Sequence, residues 1–327
     1  MSRLIFQHRV IAIVFLVACF MQQANAAVSR AFVDACHNGA DARVEFHVVD
    51  DIGKPVSNAI VNVFFDMMDR SKGRRIIGDT DTNGFLVVEA KTGGILEIEV
   101  SCDGYYRTKD EICFITMGKE HEVKNGKWQP WEMRRNVVLR PMRNPVAVKI
   151  SPANWLRTKV LNKWIGFDLE RFDFIAPNGG GKINDVELRF DWDGMYGTKH
   201  NGMAVSLRFT DKYSGGYYVE KFGQSAFTGV YSADPLKTYT QHFHYFRRPV
   251  RDSKGRMVGV DGIGFDQSKV LVGRSRCIVD EIGKLISARY FQIEDLQFSC
   301  SKEKEAAVSF SLIYNPTPND TNLEPKR

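Results

Sequence analysis

Two histidines, His242 and His244, stand two residues apart in a stretch, Thr238 to Phe246, that reads as a strand. Alternation along a strand puts both imidazoles on one face. Such a pair binds a metal if a neighbouring strand brings a third ligand, and Asp191, Asp193 and His200 are the candidates. Solvated strand histidines without a ligand role are the plainer reading. Carboxylates recur at Glu170 and Asp173, Glu187, Asp191 and Asp193, and Glu294 and Asp295. Glycoside hydrolysis needs two of them across a cleft, roughly 5–10 Å apart. Most chains offer such a pair on paper, so the pattern does not select a hydrolase.

Three motifs resemble known sites and then fail on detail. Asp79-Thr80-Asp81-Thr82-Asn83-Gly84 matches the first half of a calcium loop, but Ala90 stands where the bidentate glutamate should be. A β-turn is expected there. Asn178-Gly179-Gly180-Gly181-Lys182 has the glycines of a phosphate loop, but Ile175 replaces the leading glycine and Ile183-Asn184 the hydroxyl residue. Gly223-Gln224-Ser225-Ala226-Phe227 lacks the closing glycine of a nucleophile elbow. No catalytic residue and no cofactor is implied.

Aromatic residues offer a different chemistry. Trp155, Trp164, Trp192, Tyr196, Tyr217, Tyr218, Tyr239, Phe243, Tyr245 and Phe246 crowd the second half. Neighbours on a strand face opposite sides, so Tyr217-Tyr218 and Tyr245-Phe246 each send one ring away from the local core. Exposed rings can stack on a sugar or seat a protein. Trp192, Tyr196, Tyr218 and Tyr245 are the candidate binding residues. Trp192 precedes Asp193-Gly194 and is expected at a strand end.

The chain opens with Arg3 and Arg9, an apolar run from Val10 to Met21, and Ala24-Asn25-Ala26. These are the three regions of a secretory signal peptide, with cleavage expected after Ala26. The 12-residue run is too short for a transmembrane helix, and no later stretch is long and apolar enough. Leu16-Val17-Ala18-Cys19 also resembles a lipobox, which would make Cys19 a lipid anchor. Both readings put the protein outside the cytoplasm, secreted or at the cell envelope. Without Arg3 and Arg9 the net charge falls from +6 to +4, with interspersed charges and no basic stripe for nucleic acid. Cys36, Cys102, Cys113, Cys277 and Cys300 remain, an odd number with no C-x-x-C pair. Cys102 and Cys113 are nearest in sequence and form either a disulfide or two buried thiols.

These residues need elements to hold them, and the pattern is of strands. Residues 27–41 read as an irregular lead-in. Val44, Phe46 and Val48 alternate with Glu45 and His47. Ala59 to Phe65, Phe85 to Val88, Ile95 to Val100 and Val137 to Leu139 continue the series, broken at Gly, Asp and Asn. Asp185–Asp191, Met203–Phe209 and Val308–Tyr314 do the same farther on. An Asp-x-x-Gly-basic turn occurs at Asp50, Asp252 and Asp280, the last two 28 residues apart. Shared hairpin chemistry explains that echo better than duplication.

Gly53-Lys54-Pro55-Val56-Ser57-Asn58-Ala59-Ile60-Val61-Asn62-Val63, Thr80-Asp81-Thr82-Asn83-Gly84-Phe85 and Val100-Ser101-Cys102-Asp103-Gly104-Tyr105 follow one another in order. Together they resemble the carboxypeptidase-regulatory-like domains, over roughly residues 42–142. The resemblance implies a transthyretin-like seven-stranded sandwich, an accessory module without catalytic residues. The segment 107–134, with Trp128 and Trp131, is longer than that family needs.

The expectation is an all-β chain of two antiparallel β-sandwich domains. A signal peptide (1–26) and lead-in (27–41) precede a carboxypeptidase-regulatory-like sandwich (42–143). A second β-rich domain (144–315) and a frayed polar tail (316–327) follow. The function expected is non-catalytic binding of a carbohydrate or an envelope protein. A hydrolase with its site in the second domain, or a structural envelope component, are the alternatives.

Overall fold

The computed structural model describes residues 29–115, 123–192, 203–223, 225–300 and 305–326. The chain is all-β and forms two compact units, Met1–Leu139 and Arg140–Arg327. The signal region and Cys19 lie outside the described residues.

The lead-in is a helix rather than irregular chain. Helix α1 (Arg30–Asn38) starts at Ser29, whose side chain accepts the Phe32 N–H, and ends at Gly39, which has a φ of 79°. Strands follow in the order β1 (Ala40–Asp50), β2 (Ile60–Asp66), β3 (Arg74–Asp79), β4 (Phe85–Thr92), β5 (Ile95–Ser101), β6 (Tyr105–Tyr106), β7 (Thr108–Cys113), β8 (Val123–Lys124), β9 (Lys127–Trp128) and β10 (Met133–Pro141). Seven of these have six residues or more. One sheet runs β6-β10-β1-β9-β8 with β4 also on β1, and the other β3-β2-β5-β7. β1–β4, β2–β3, β2–β5, β5–β7 and β8–β9 pair antiparallel, whereas β1 pairs in parallel with β10 and touches β9 in parallel. Val44, Phe46 and Val48 from one sheet meet Val61, Val63, Phe65 and Leu96 from the other, all fully buried. The long segment 107–134 supplies Trp128, which is buried, donates its Nε1–H to the Thr92 carbonyl at 2.9 Å and stacks on Phe114.

The second unit holds β11 (Lys149–Ser151), β12 (Leu156–Thr158), β13 (Trp164–Asp168), β14 (Asp173–Phe174), β15 (Val186–Trp192), β16 (Met203–Phe209), β17 (Gly215–Glu220), β18 (His242–Arg251), β19 (Met257–Ile263), β20 (Lys269–Val279), β21 (Leu285–Cys300) and β22 (Ala306–Asn315). Two sheets result, β11-β22-β21-β20-β17 with β12 on β22, and β14-β13-β15-β16-β18-β19. Phe167, Phe190, Val205 and Leu207 of one sheet pack with Phe291, Ile293, Phe310 and Leu312 of the other. Phe291 lies against Gly273, where an added Cβ would sit inside the ring. Burying a side chain of this size stabilises by about 1.5–3 kcal/mol, so this inter-sheet layer holds the sandwich closed.

Four turns share one design. Asp50, Asp81, Asp252 and Asp280 each accept two main-chain N–H groups, two and four residues on, at 2.7–3.1 Å. The glycine three residues on has φ between 76° and 84° in every case. The echo at Asp252 and Asp280 is therefore turn chemistry. The carboxylate of Asp81 is used by its own loop, as a β-turn requires.

The tail after Pro316 is folded, not frayed. Leu323 is completely buried among Val270, Val272, Ala288 and Tyr290. The buried Glu324 carboxylate accepts the N–H groups of Arg143 (2.8 Å) and Asn144 (2.6 Å). The boundary expected at Asn144 falls earlier, at Arg140. The guanidinium of Arg140 packs on the rings of Phe222, Phe227 and Tyr231 at 4.1–4.7 Å and donates to the Phe227 carbonyl at 3.0 Å.

Candidate functional site

A recess of about 330 Å³ opens where β15 ends and β16 begins, beside β18. The ladder builds it. Trp192 pairs with Met203, Asp191 with Ala204, and Ala204 in turn with Phe246. Trp192, Met203 and Phe246 give apolar walls, while Asn162, Asp191 and Arg248 give polar ones. The small Ala204 leaves the floor open.

Asn162 sits in the loop before β13 with φ of 59°, a conformation asparagine tolerates better than most residues. Its Oδ1 accepts the Trp192 N–H at 3.1 Å and its own N–H donates to the Phe190 carbonyl at 2.8 Å. These two bonds splice the loop onto the end of β15. Arg189 Nε donates to Asp191 Oδ1 at 2.6 Å, so the one carboxylate among the described lining residues is already ion-paired. The Arg248 guanidinium lies 4.7 Å from the Phe246 ring, and the His244 ring stacks with Phe246 at 6.0 Å. The recess thus combines aromatic surface with an amide, a carboxylate and a guanidinium. It suits a small ring bearing polar groups, at the low end of the roughly 300–1,000 Å³ that small-molecule sites occupy.

The candidate residues are scattered. Trp192 lines the recess. Tyr196 lies outside the described residues, as do Asp193 and His200. Tyr245 is buried, with 3% of its surface exposed, and cannot present a ring to a ligand. Its hydroxyl bonds that of Tyr218, whose ring meets Phe243 and Phe265 edge-on, 5.8 Å from each. Desolvation pushes both phenols above their ordinary range, Tyr245 furthest. The pair joins the two sheets of the unit, with one edge of Tyr218 left in solvent. Strand parity did separate the rings: Tyr245 faces in and Phe246 out. Phe246, Asn162 and Arg248 were missed. The parity of Leu207 and Val205 on the neighbouring strand was the available signal for Phe246; Asn162 had none.

His242 and His244 share the outer face of β18, as expected. His244 Nδ1 bonds Ser206 Oγ at 2.8 Å, and Asp191 is held by Arg189. Among the described residues no three His, Cys, Asp or Glu side chains converge to hold a metal. The carboxylates go to ion pairs: Glu187 to Arg208, Glu294 and Asp295 to Lys221, and Glu170 to Lys149 and Arg276. The glycine loop at 178–182 is wrapped around aspartates of its own unit. Gly180 N–H donates to Asp173 Oδ2 (2.7 Å) and Lys182 N–H to Asp168 Oδ2 (2.9 Å), filling the cradle a phosphate would need.

Among the described residues Cys36, Cys102, Cys113 and Cys277 form no disulfide, so the Cys102–Cys113 bridge is not made. Cys113 pairs with Ile95 at the start of β5, whereas Cys102 follows its end at Ser101. Seven steps at about 3.3 Å separate the two by roughly 23 Å, far beyond disulfide reach.

No protein family matches the sequence, and no curated protein does either. Among solved structures, the chain has 12% identity to 3-chlorocatechol 1,2-dioxygenase from Rhodococcus opacus 1CP, covering 32% of this chain and 61% of that one at a TM-score of 0.26. It thus spans about three-fifths of that enzyme's length. Hydroxyquinol 1,2-dioxygenase from Pseudomonas putida DLL-E4 gives 14% identity over 32% and 57%, at 0.23. A shaft pilin from Lactobacillus rhamnosus GG gives 9% over 73% and 89%, also at 0.23. No helix among the described residues is long and apolar enough to cross a membrane.

Proposed function

We propose that this is an exported, non-catalytic β-sandwich protein whose second unit binds a glycan through the recess at Trp192. The observation that carries this reading is the joining of two aromatic walls, Trp192 and Phe246, to Asn162, Asp191 and Arg248 in one concavity. Aromatic faces take the apolar face of a sugar, and the polar groups take its hydroxyls. Among the described residues the single lining carboxylate is paired with Arg189, and no second acid lines the recess to complete a hydrolytic pair. Export rests on the basic, apolar and A-x-A regions of residues 1–26, with a lipid anchor at Cys19 as the anchored form. The first unit is read as an accessory module of the carboxypeptidase-regulatory-like kind. Its Asp50 and Asp81 turns and the Gly104 turn fall at the three motifs that carry the resemblance.

An array of polysaccharides and cell-envelope extracts tests this, with the intact protein and its Trp192→Ala and Phe246→Ala variants. Binding to a glycan that both substitutions weaken is the expected result. Binding to an envelope protein alone would shift the ligand class. Turnover of any glycan or peptide, abolished by changing one Asp, Glu or His of the second unit, would overturn the non-catalytic reading.

A further inference from the structure

We infer that the β18–β19 hairpin is a docking arm that takes an acidic, extended polypeptide segment as an added strand along β19. Beyond Phe246 the hairpin leaves the core. Arg247, Arg248, Val250 and Arg251 on one strand and Val258, Asp261, Gly262 and Ile263 on the other are all exposed, from both faces. Residues 247–263 hold five basic side chains against two acidic ones, a net of +3. Among the described residues no carboxylate forms an ion pair with Arg247 or Arg248. A two-stranded ribbon exposed on both faces gains little from burial, so its retention as ordered strand calls for a partner.

β19 is the last strand of its sheet, so alternate residues aim their N–H and C=O groups at solvent. Sheet edges are ordinarily blunted with lysine, proline or a covering loop. Met257-Val258-Gly259-Val260-Asp261-Gly262-Ile263-Gly264 has none of those residues, and Val258 and Ile263 are more than half exposed at 63% and 60%. Gly259 and Gly264 have nothing within 4 Å of where a Cβ would stand, so crowding does not explain them. Glycine at an open strand position marks a place where another backbone comes close. The edge therefore reads as a template for strand addition.

The charge selects the occupant. Gly262 stands opposite Arg247 in the ladder, so close that an added Cβ would meet the Phe246 carbonyl and the Arg247 Cα, which keeps Arg247 one strand spacing from the edge. An added strand would run about 4.8 Å past β19, within reach of the long arginine side chain. An acidic residue in that row completes an ion pair. A second copy of this chain would instead bring two arms of like charge together, which opposes self-pairing.

Hydrogen exchange and titration on the full chain test the arm. The probe is a peptide of about eight residues alternating glutamate with valine, and its lysine counterpart is the control. The glutamate peptide should slow exchange of alternate amides in 257–263. Arg247→Glu should weaken binding about tenfold and the exposed Asp261→Lys should strengthen it severalfold, with melting unchanged. If Arg247→Glu melts early, the Asp261→Lys arm decides. Trp192→Ala should leave peptide binding as it is, so the arm and the recess fail separately. No slowing at about 1 mM peptide, or equal binding of the lysine peptide, overturns the inference. So does binding of heparin or phosphatidylglycerol vesicles through Arg247 without β19 protection, which would assign the arm to a polyanion or lipid surface.

Discussion

Arg276 grips Asp185 with two parallel hydrogen bonds, Nε to Oδ1 at 2.9 Å and Nη2 to Oδ2 at 3.0 Å. The same guanidinium reaches Asp168 Oδ1 at 3.1 Å and Glu170 at 2.5 Å. Asp168 and Asp185 are buried, and their other bonds go to main-chain N–H groups of Leu169, Arg171, Lys182 and Ile183. One cation therefore fixes the turn after β13 and the loop before β15.

Removing that cation strands buried carboxylates, so Arg276→Ala should cost the second unit roughly 3–5 kcal/mol at neutral pH, read from urea unfolding. The pH dependence follows from the shifts. Desolvation works against Asp168, but its N–H donors and Arg276 outweigh it and hold its carboxyl below the usual range. Lys149 foremost, and Arg276, hold Glu170 down against desolvation. Their contribution is present above the ordinary carboxyl pKa of about 4 and is lost as pH falls through the lower folded values. Desolvation raises Asp185 despite Arg276, so its share runs the other way. In the variant all three carboxyls move up and protonation relieves the strain. The gap from the parent should narrow below about pH 4; a gap that is constant with pH would count against this network.

Leu323 makes a second case. It fills a closed site near the end of the chain, and Leu323→Ala should cost about 2–4 kcal/mol by leaving a cavity. Glu324→Gln should cost less, about 1–2 kcal/mol, by weakening two charge-assisted bonds to Arg143 and Asn144. Unfolding curves with unchanged midpoints for both would mean that residues 316–326 contribute nothing to the fold.

The thiols offer a chemical reading of burial. Burial, with the Cys113 thiol nearby adding to it, pushes Cys36 up to about 11. The thiolate is the reactive form, so about one Cys36 in a thousand is reactive at pH 8. Its alkylation by iodoacetamide, followed by mass spectrometry, should rise about tenfold per pH unit up to pH 10. A plateau just above pH 9 would indicate an ordinary, solvated cysteine.

Much of the fold was legible because it is written in alternation. Val44, Phe46 and Val48, or Met203 to Phe209, state their buried face residue by residue. Helix α1 was hard to read: its core-facing stripe, Phe32, Ala35 and Cys36, is a single i, i+3, i+4 step within nine residues. The tail was missed for another reason. It is polar, but its polarity is spent on main-chain partners, as where the Asn322 side chain donates to the Asn144 carbonyl at 2.7 Å. Composition cannot tell that from solvation. At the candidate site, the strand end at Trp192 was foreseeable. The inward turn of Tyr245 depended on which face of β18 the opposing sheet, with Tyr218 of β17, would cover, and that is a tertiary fact.

Each unit is sealed by its own two ends. In the first, β1 lies beside β10, so that Val44 pairs with Met133, 89 residues on (44 to 133). In the second, Val146 bonds Glu324, 178 residues on (146 to 324). Such late, long-range closures make for slow folding, because chain entropy must be given up before these contacts return anything. Yet the second ring of chain, twice as long as the first, costs only about 0.6 kcal/mol more to close. The entropic penalty of building the larger unit is thus nearly that of the smaller, and its longer loops came almost free.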